Sequence, residues 1–259
     1  MTAMTALESV FKFDNANYDG AEDIWNLIPP IPIDNGFITA YIHPLNSRFP
    51  INSLSIKDEE VRRRFSEGFN KLMEKHEITT GNSNDLMNWL GTGFISSQRL
   101  DENNAPYNIK GATMNTLAEL AYVPGFENNY KQVSKYLSIG ESNYKINLNL
   151  ASEELITSLF PELEPYVTDI LEARSDGDFK DISAIYKIMG DHEQENYNAI
   201  LPYIDVKSSM FYVKIELNIG DTFKFYHILY ERNGKNIKPV KYIEGGNIDY
   251  YWKNLLLEK

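Results

Sequence analysis

Val61, Phe65, Phe69, Leu72 and Met73 recur at helical spacing behind the acidic run Asp58-Glu59-Glu60. Carboxylates are favoured where a helix dipole is positive, so this pattern predicts an amphipathic helix from about Lys57. A shorter helix carrying Leu86, Met87, Trp89 and Leu90 is expected behind a cap at Asn84 or Asp85. Gly91 to Lys110 is polar and reads as loop. Pro29, Pro30 and Pro32 forbid a helix and favour an extended run. Bulky and small residues then alternate from Phe37 to His43, as in a strand. Beyond Pro202 the period is two. Phe211, Val213, Ile215 and Leu217 form one alternating set, and Phe223, Phe225, His227 and Leu229 another. Asn233-Gly234 predicts a hairpin turn, because both residues tolerate positive φ. Pro239 marks the following strand, Ile237 to Ile243, as an edge.

A weak internal repeat lies in the middle of the chain. Residues 114–126 (MNTLAELAYVPGF) align with residues 179–191 (FKDISAIYKIMGD). Thr116 matches Asp181 as a helix cap, three apolar positions match at helical spacing, and Gly125 matches Gly190 as a stop. Thr116 with Glu119 also fits a capping box. The order strand, helical block, three strands predicts an α+β fold: an antiparallel sheet interrupted by a large helical insertion. The expected division is residues 1–56 and 205–259 for the body and 57–204 for the inserted domain.

Charge limits what the helical block can do. The chain has 259 residues, a formal net charge of −12 and no cysteine, which rules out thiol chemistry and disulfides. "INLNLASEELITSLFPELEPYVTDILEARSDGDFKDI" (146–182) has the layout of a helix-hairpin-helix unit, a form that often grips DNA. Its turn carries Glu162 where a glycine would let amides approach phosphate. Nine acids between Ile146 and Gly190 face only Arg174, Lys180 and Lys187. Such a surface repels phosphate, so a nucleic-acid binder is the disfavoured reading and helical packing the favoured one.

Four stretches in fixed order carry a family resemblance. They are residues 18–54, with the loop Arg48-Phe49-Pro50-Ile51-Asn52; residues 106–126; "INLNLASEELI" (146–156); and "SSMFYVKIEL" (208–217). Together they resemble protein K, the minor pseudopilin of type II secretion systems. The resemblance implies a pilin-like sheet with an inserted helical domain and no catalytic activity. It implies a place at the pseudopilus tip with the minor pseudopilins I and J, and contact with secreted cargo. It further implies a soluble portion on the periplasmic face of the inner membrane, anchored only through an N-terminal helix that this chain does not contain. A minor pilin of a type IV pilus or DNA-uptake filament is the alternative, since it shares the same body.

The family's Asp-Trp-x-Asp stretch, associated with bound calcium, is replaced here by Asn88-Trp89-Leu90-Gly91. Two carboxylates are lost, and calcium takes six to eight oxygens. Asp101, Glu102 and Asn103 are the residues left to offer calcium oxygens, and a solvated acidic loop is the favoured reading. His43, His76, His192 and His227 show no metal-ligand spacing, and His43 and His227 fall in strands as structural residues. No nucleophile elbow, P-loop or dinucleotide fingerprint is present, so no enzyme is expected. Asp176-Gly177-Asp178 with Asp181 reads as a turn between helices. Asp14, Asp19, Glu22 and Asp23 read as a solvated face. Tyr250-Tyr251-Trp252 is a candidate interface cluster.

Overall fold

The computed structural model describes residues 2–93, 98–100, 106–139 and 145–244. Asp101, Glu102, Asn103 and the Tyr250-Tyr251-Trp252 cluster lie outside the described residues. The chain divides into two compact units. The described residues of 2–47, 145–152 and 165–244 form one, and those of 48–144 and 153–164 form the other. No helix of the described residues is long and apolar enough to cross a membrane.

The first unit carries a five-stranded antiparallel sheet. Its strands, in chain and spatial order, are β1 (Ile31–Ile33), β2 (Gly36–Pro44), β3 (Met210–Ile219), β4 (Thr222–Asn233) and β5 (Asn236–Glu244). β2 pairs directly with β3, from Gly36↔Ile219 to Pro44↔Phe211. The helical block is therefore inserted between two neighbouring strands of a pilin-like α+β sheet. Period-two alternation sends Ile42, Phe211, Val213, Ile215, Ile228 and Tyr230 to one face. There they bury Leu7 and Phe11 of helix α1 (Thr2–Phe13), together with Trp25. Phe11 and Trp25 both meet Phe211, with ring centroids 4.8 and 5.6 Å apart.

The β4–β5 hairpin is shifted by one residue from its expected form. Asn233 pairs with Asn236 as the last rung, so the loop is Gly234-Lys235. Only Gly234 has positive φ, at 59°. A glycine at the first loop position is the type II′ solution to the right-handed twist of the strands. β5 is an edge, as Pro239 predicts, and a bulge falls where Pro239 pairs with Tyr230.

The second unit is built on α2 (Glu59–Lys75). Asp58 caps it by accepting from the amides of Glu60 and Val61. Its expected apolar stripe is buried. Phe65 and Phe69 pack edge-on against Phe49, at 5.9 and 5.4 Å. Each fully buried phenylalanine contributes about 1.5–3 kcal/mol relative to exposure. α3 (Ser83–Leu90) is capped by Asn82, two or three residues before the expected position. Asp85 returns a bond to the Asn82 amide and completes a capping box. α4 (Tyr130–Val133) is a single turn, and α5 (Glu153–Leu159) packs on α2. The stretch Gly91–Lys110, expected as loop, contains a short ladder. Gln98–Leu100 pairs antiparallel with Pro106–Asn108. Three-residue strands are too short to show a period.

The helices α6 (Val167–Ser175), α7 (Ser183–Met189) and α8 (Gln194–Ile200) lie in the first unit. The repeat keeps its end residues, but the helices do not all end on them. The N-cap of α7 is Ile182 rather than Asp181, and the first copy stops at Val123, two residues before Gly125. Thr116 accepts from the amide of Ala118, Asp181 accepts from Ser183, and Gly125 and Gly190 have φ of 83° and 88°. The first copy is a 3₁₀ helix, Leu117–Tyr122, rather than an α-helix. Glu119 returns its bond to the amide of Asn115, not Thr116, so the capping box does not close.

Candidate functional site

In the first unit, the acids read from sequence as a solvated face are mostly interior. Asp14, Asp19 and Asp23 are 5%, 0% and 8% exposed, and only Glu22 faces solvent. The reason is Arg232, which the alternation of β4 places on the same inward face as Ile228 and Tyr230. Its guanidinium bonds Asp14 Oδ2 at 3.0 Å, Asp19 Oδ2, and the Ser208 carbonyl at 3.1 Å. It also lies 4.8 Å from the Phe211 ring centre. One oxygen from each of Asp14, Asp19 and Asp23 falls within 4.8 Å of the others. Asp178 stands beside them and accepts from the amide of Ala21. It is thus more than the turn residue expected from Asp176-Gly177-Asp178.

The INLNLA signature holds this cluster in place. Asn147 and Asn149 both donate to the Asp19 carbonyl, at 3.1 and 3.2 Å. Asn147 also reaches Ser208 Oγ at 3.0 Å. Asn149 makes a two-way bond with Phe179, receiving its amide at 2.8 Å and donating to its carbonyl at 2.9 Å. Arg174 closes the turn by donating to the Leu148 and Ala151 carbonyls. The two asparagines satisfy buried backbone groups that no strand or helix reaches.

Burial dominates the proton affinity of the cluster. It pushes Asp23 up to about 7, reinforced by Asp14, Asp19 and Asp178. It pushes Asp19 up to about 6 against the pull of Arg232. Asp14 is raised for the same first cause. The folded unit therefore holds protons that the unfolded chain releases near pH 3.8. Stability from this source is full below about pH 4 and is lost as pH rises towards 7. Each proton taken up on folding gives a slope of about 1.4 kcal/mol per pH unit. Urea titrations between pH 5 and 8 in metal-free buffer will show stability falling with pH, and Asp23→Asn will flatten that slope. An unchanged slope in Asp23→Asn would contradict this assignment.

In the second unit, Asn52 of the Arg48–Asn52 loop clasps the backbone of Met114 in both directions, at 3.1 and 2.8 Å. Glu162, at the hairpin's glycine position, makes a two-bond pair with Arg64 at 3.1 and 2.7 Å. That pair holds its carboxyl below the usual range despite burial. Around Asn88-Trp89-Leu90-Gly91, Glu119 takes the Trp89 indole, both bonds of Lys110 and the Asn115 amide. Glu119, the carboxylate bonded to the Trp89 indole, is thus already fully engaged. The calcium expectation for Asp101, Glu102 and Asn103 falls on residues outside the description. His43 and His227 lie in β2 and β4, and His227 Nδ1 shares a hydrogen bond with the Tyr212 hydroxyl.

An antiparallel sheet entered by a long helix-rich insertion defines a pilin-like body with an inserted helical region. That is the fold of GspK in the crystal structure of the GspK–GspI–GspJ complex from the enterotoxigenic Escherichia coli type 2 secretion system. The match covers 95% of this chain and 94% of that chain, with a TM-score of 0.72 and 13% sequence identity. No protein-family model and no curated protein matches the sequence.

Proposed function

We propose that this chain is a K-type minor pseudopilin, a structural subunit at the tip of a type II secretion pseudopilus. The supporting observation is the end-to-end fold match to GspK, which takes in both the sheet and the helical insertion. That neighbour was crystallised with GspI and GspJ. By analogy, this chain binds minor pseudopilins of the I and J types on the periplasmic side of the inner membrane and meets secreted cargo there. A subunit of this kind needs interfaces and no catalytic centre.

The test is secretion in the source organism. Deleting the coding sequence will retain type II substrates inside the cell, and restoring the full-length protein will release them. Normal secretion in the deletion strain, with loss of twitching or DNA uptake instead, would favour a type IV pilin role.

A further inference from the structure

We propose that Asp14, Asp19 and Asp23 form a binding site for one hard divalent cation of the calcium class. This site lies in the sheet-bearing unit and is separate from Asp101 and Glu102. Three observations carry it.

The first is spacing. Calcium–oxygen distances are about 2.3–2.6 Å, so two oxygens on one ion are at most about 5 Å apart. The convergent oxygens of Asp14, Asp19 and Asp23 all lie within 4.8 Å of one another.

The second is an orphaned oxygen. Asp19 is fully buried, and its Oδ2 takes Arg232 and the Ser208 amide. Its Oδ1 has no hydrogen-bond donor. A buried carboxylate oxygen without a donor is costly, and a cation supplies what the protein there does not.

The third is charge. Three buried carboxylates stand together with one guanidinium, which pairs with two of them, and Asp178 is adjacent. Arg232 occupies one oxygen of Asp14 and one of Asp19, and it makes no ion pair with Asp23. Asp23 instead accepts the Gly20 amide at 2.7 Å through Oδ2, which leaves its second oxygen for a ligand. An oxygen-only donor set with excess negative charge selects calcium over softer metals.

Trp25 lies two residues beyond Asp23 and is 2% exposed, so it can sensitise bound terbium. The experiment titrates Tb³⁺ into the full chain at pH 7.5, with excitation of tryptophan. Luminescence is expected to rise to saturation at one ion per chain from this site and to be displaced by Ca²⁺. Half-saturation for calcium is expected at about 10⁻⁶–10⁻³ M, and saturating calcium is expected to raise the melting midpoint by several degrees, about the shift that ligand binding produces at 100-fold Kd.

Asp23→Asn makes no break in an arginine pair. It should stay folded by circular dichroism and lose both the luminescence and the calcium shift. Trp25→Phe should lose the luminescence and keep the shift. The double variant Asp101→Asn with Glu102→Gln should keep both. Signals that survive Asp23→Asn, or vanish in the double variant, would overturn the proposal. So would the absence of any calcium shift in the unaltered chain.

Discussion

Arg232→Ala will lower the stability of the sheet-bearing unit by about 3–5 kcal/mol at pH 8, the usual result of removing one partner of a buried ion pair. Arg232 is 6% exposed and is bonded to Asp14, Asp19 and the Ser208 carbonyl. Its removal leaves two interior carboxylates uncompensated and opens a gap over Phe211. The loss will be smaller at pH 5, because carboxyls whose proton affinity is already raised by burial can then neutralise. Urea unfolding at the two pH values measures both effects. A loss below about 1 kcal/mol at pH 8, the range of exposed pairs, would show that the cluster is solvated after all.

Asn149→Ala will cost about 2–4 kcal/mol in the same unit. The side chain is the partner of both the amide and the carbonyl of Phe179, and it braces the Asp19 carbonyl. Alanine strands both Phe179 groups, and leaves the Asp19 carbonyl to Asn147 alone, in a region where Asn149 itself is 5% exposed. Each buried unsatisfied group costs about 1–3 kcal/mol. Asn149→Asp will be no better, since it cannot donate and adds charge beside an acidic cluster. Thermal unfolding followed by far-ultraviolet circular dichroism gives the comparison. A midpoint within a degree or two of the parent would contradict the role given to this asparagine.

Those two residues mark the limits of what the sequence makes legible. The sheet is readable where Phe211, Val213 and Ile215 share the core face, but the phase of β4 is not. Ile228 and Tyr230 reach that core, while Phe223 of the set read from sequence is 63% exposed. Tyr212 and Lys214 of β3 are buried as well. The α2 stripe is readable at a period of 3.6. The Gly234 turn is misplaced by one residue, because Asn-Gly fits both a type I′ loop and the end of a strand. The Asn147 and Asn149 positions are visible as a motif, yet their partners Asp19, Phe179 and Ser208 are distant in sequence.

The acidic cluster is the largest misreading. Asp14, Asp19 and Asp23 lie in a polar, proline-flanked stretch that looks like surface. Arg232 sits next to a hairpin tip, where cations are ordinarily exposed. A signal was nonetheless present. Ile228, Tyr230 and Arg232 are in phase on β4, so the alternation that buries the first two also buries the third. A buried arginine requires a carboxylate, and the acidic stretch supplies it.

The most direct test of the central claim is assembly. The chain is to be mixed with soluble I- and J-type minor pseudopilins from the same organism, and the mixture resolved by gel filtration with light scattering. The account predicts a one-to-one-to-one complex whose mass is the sum of the three chains. A chain that elutes alone, with the I and J subunits unshifted across calcium-replete and calcium-free buffers, would contradict it.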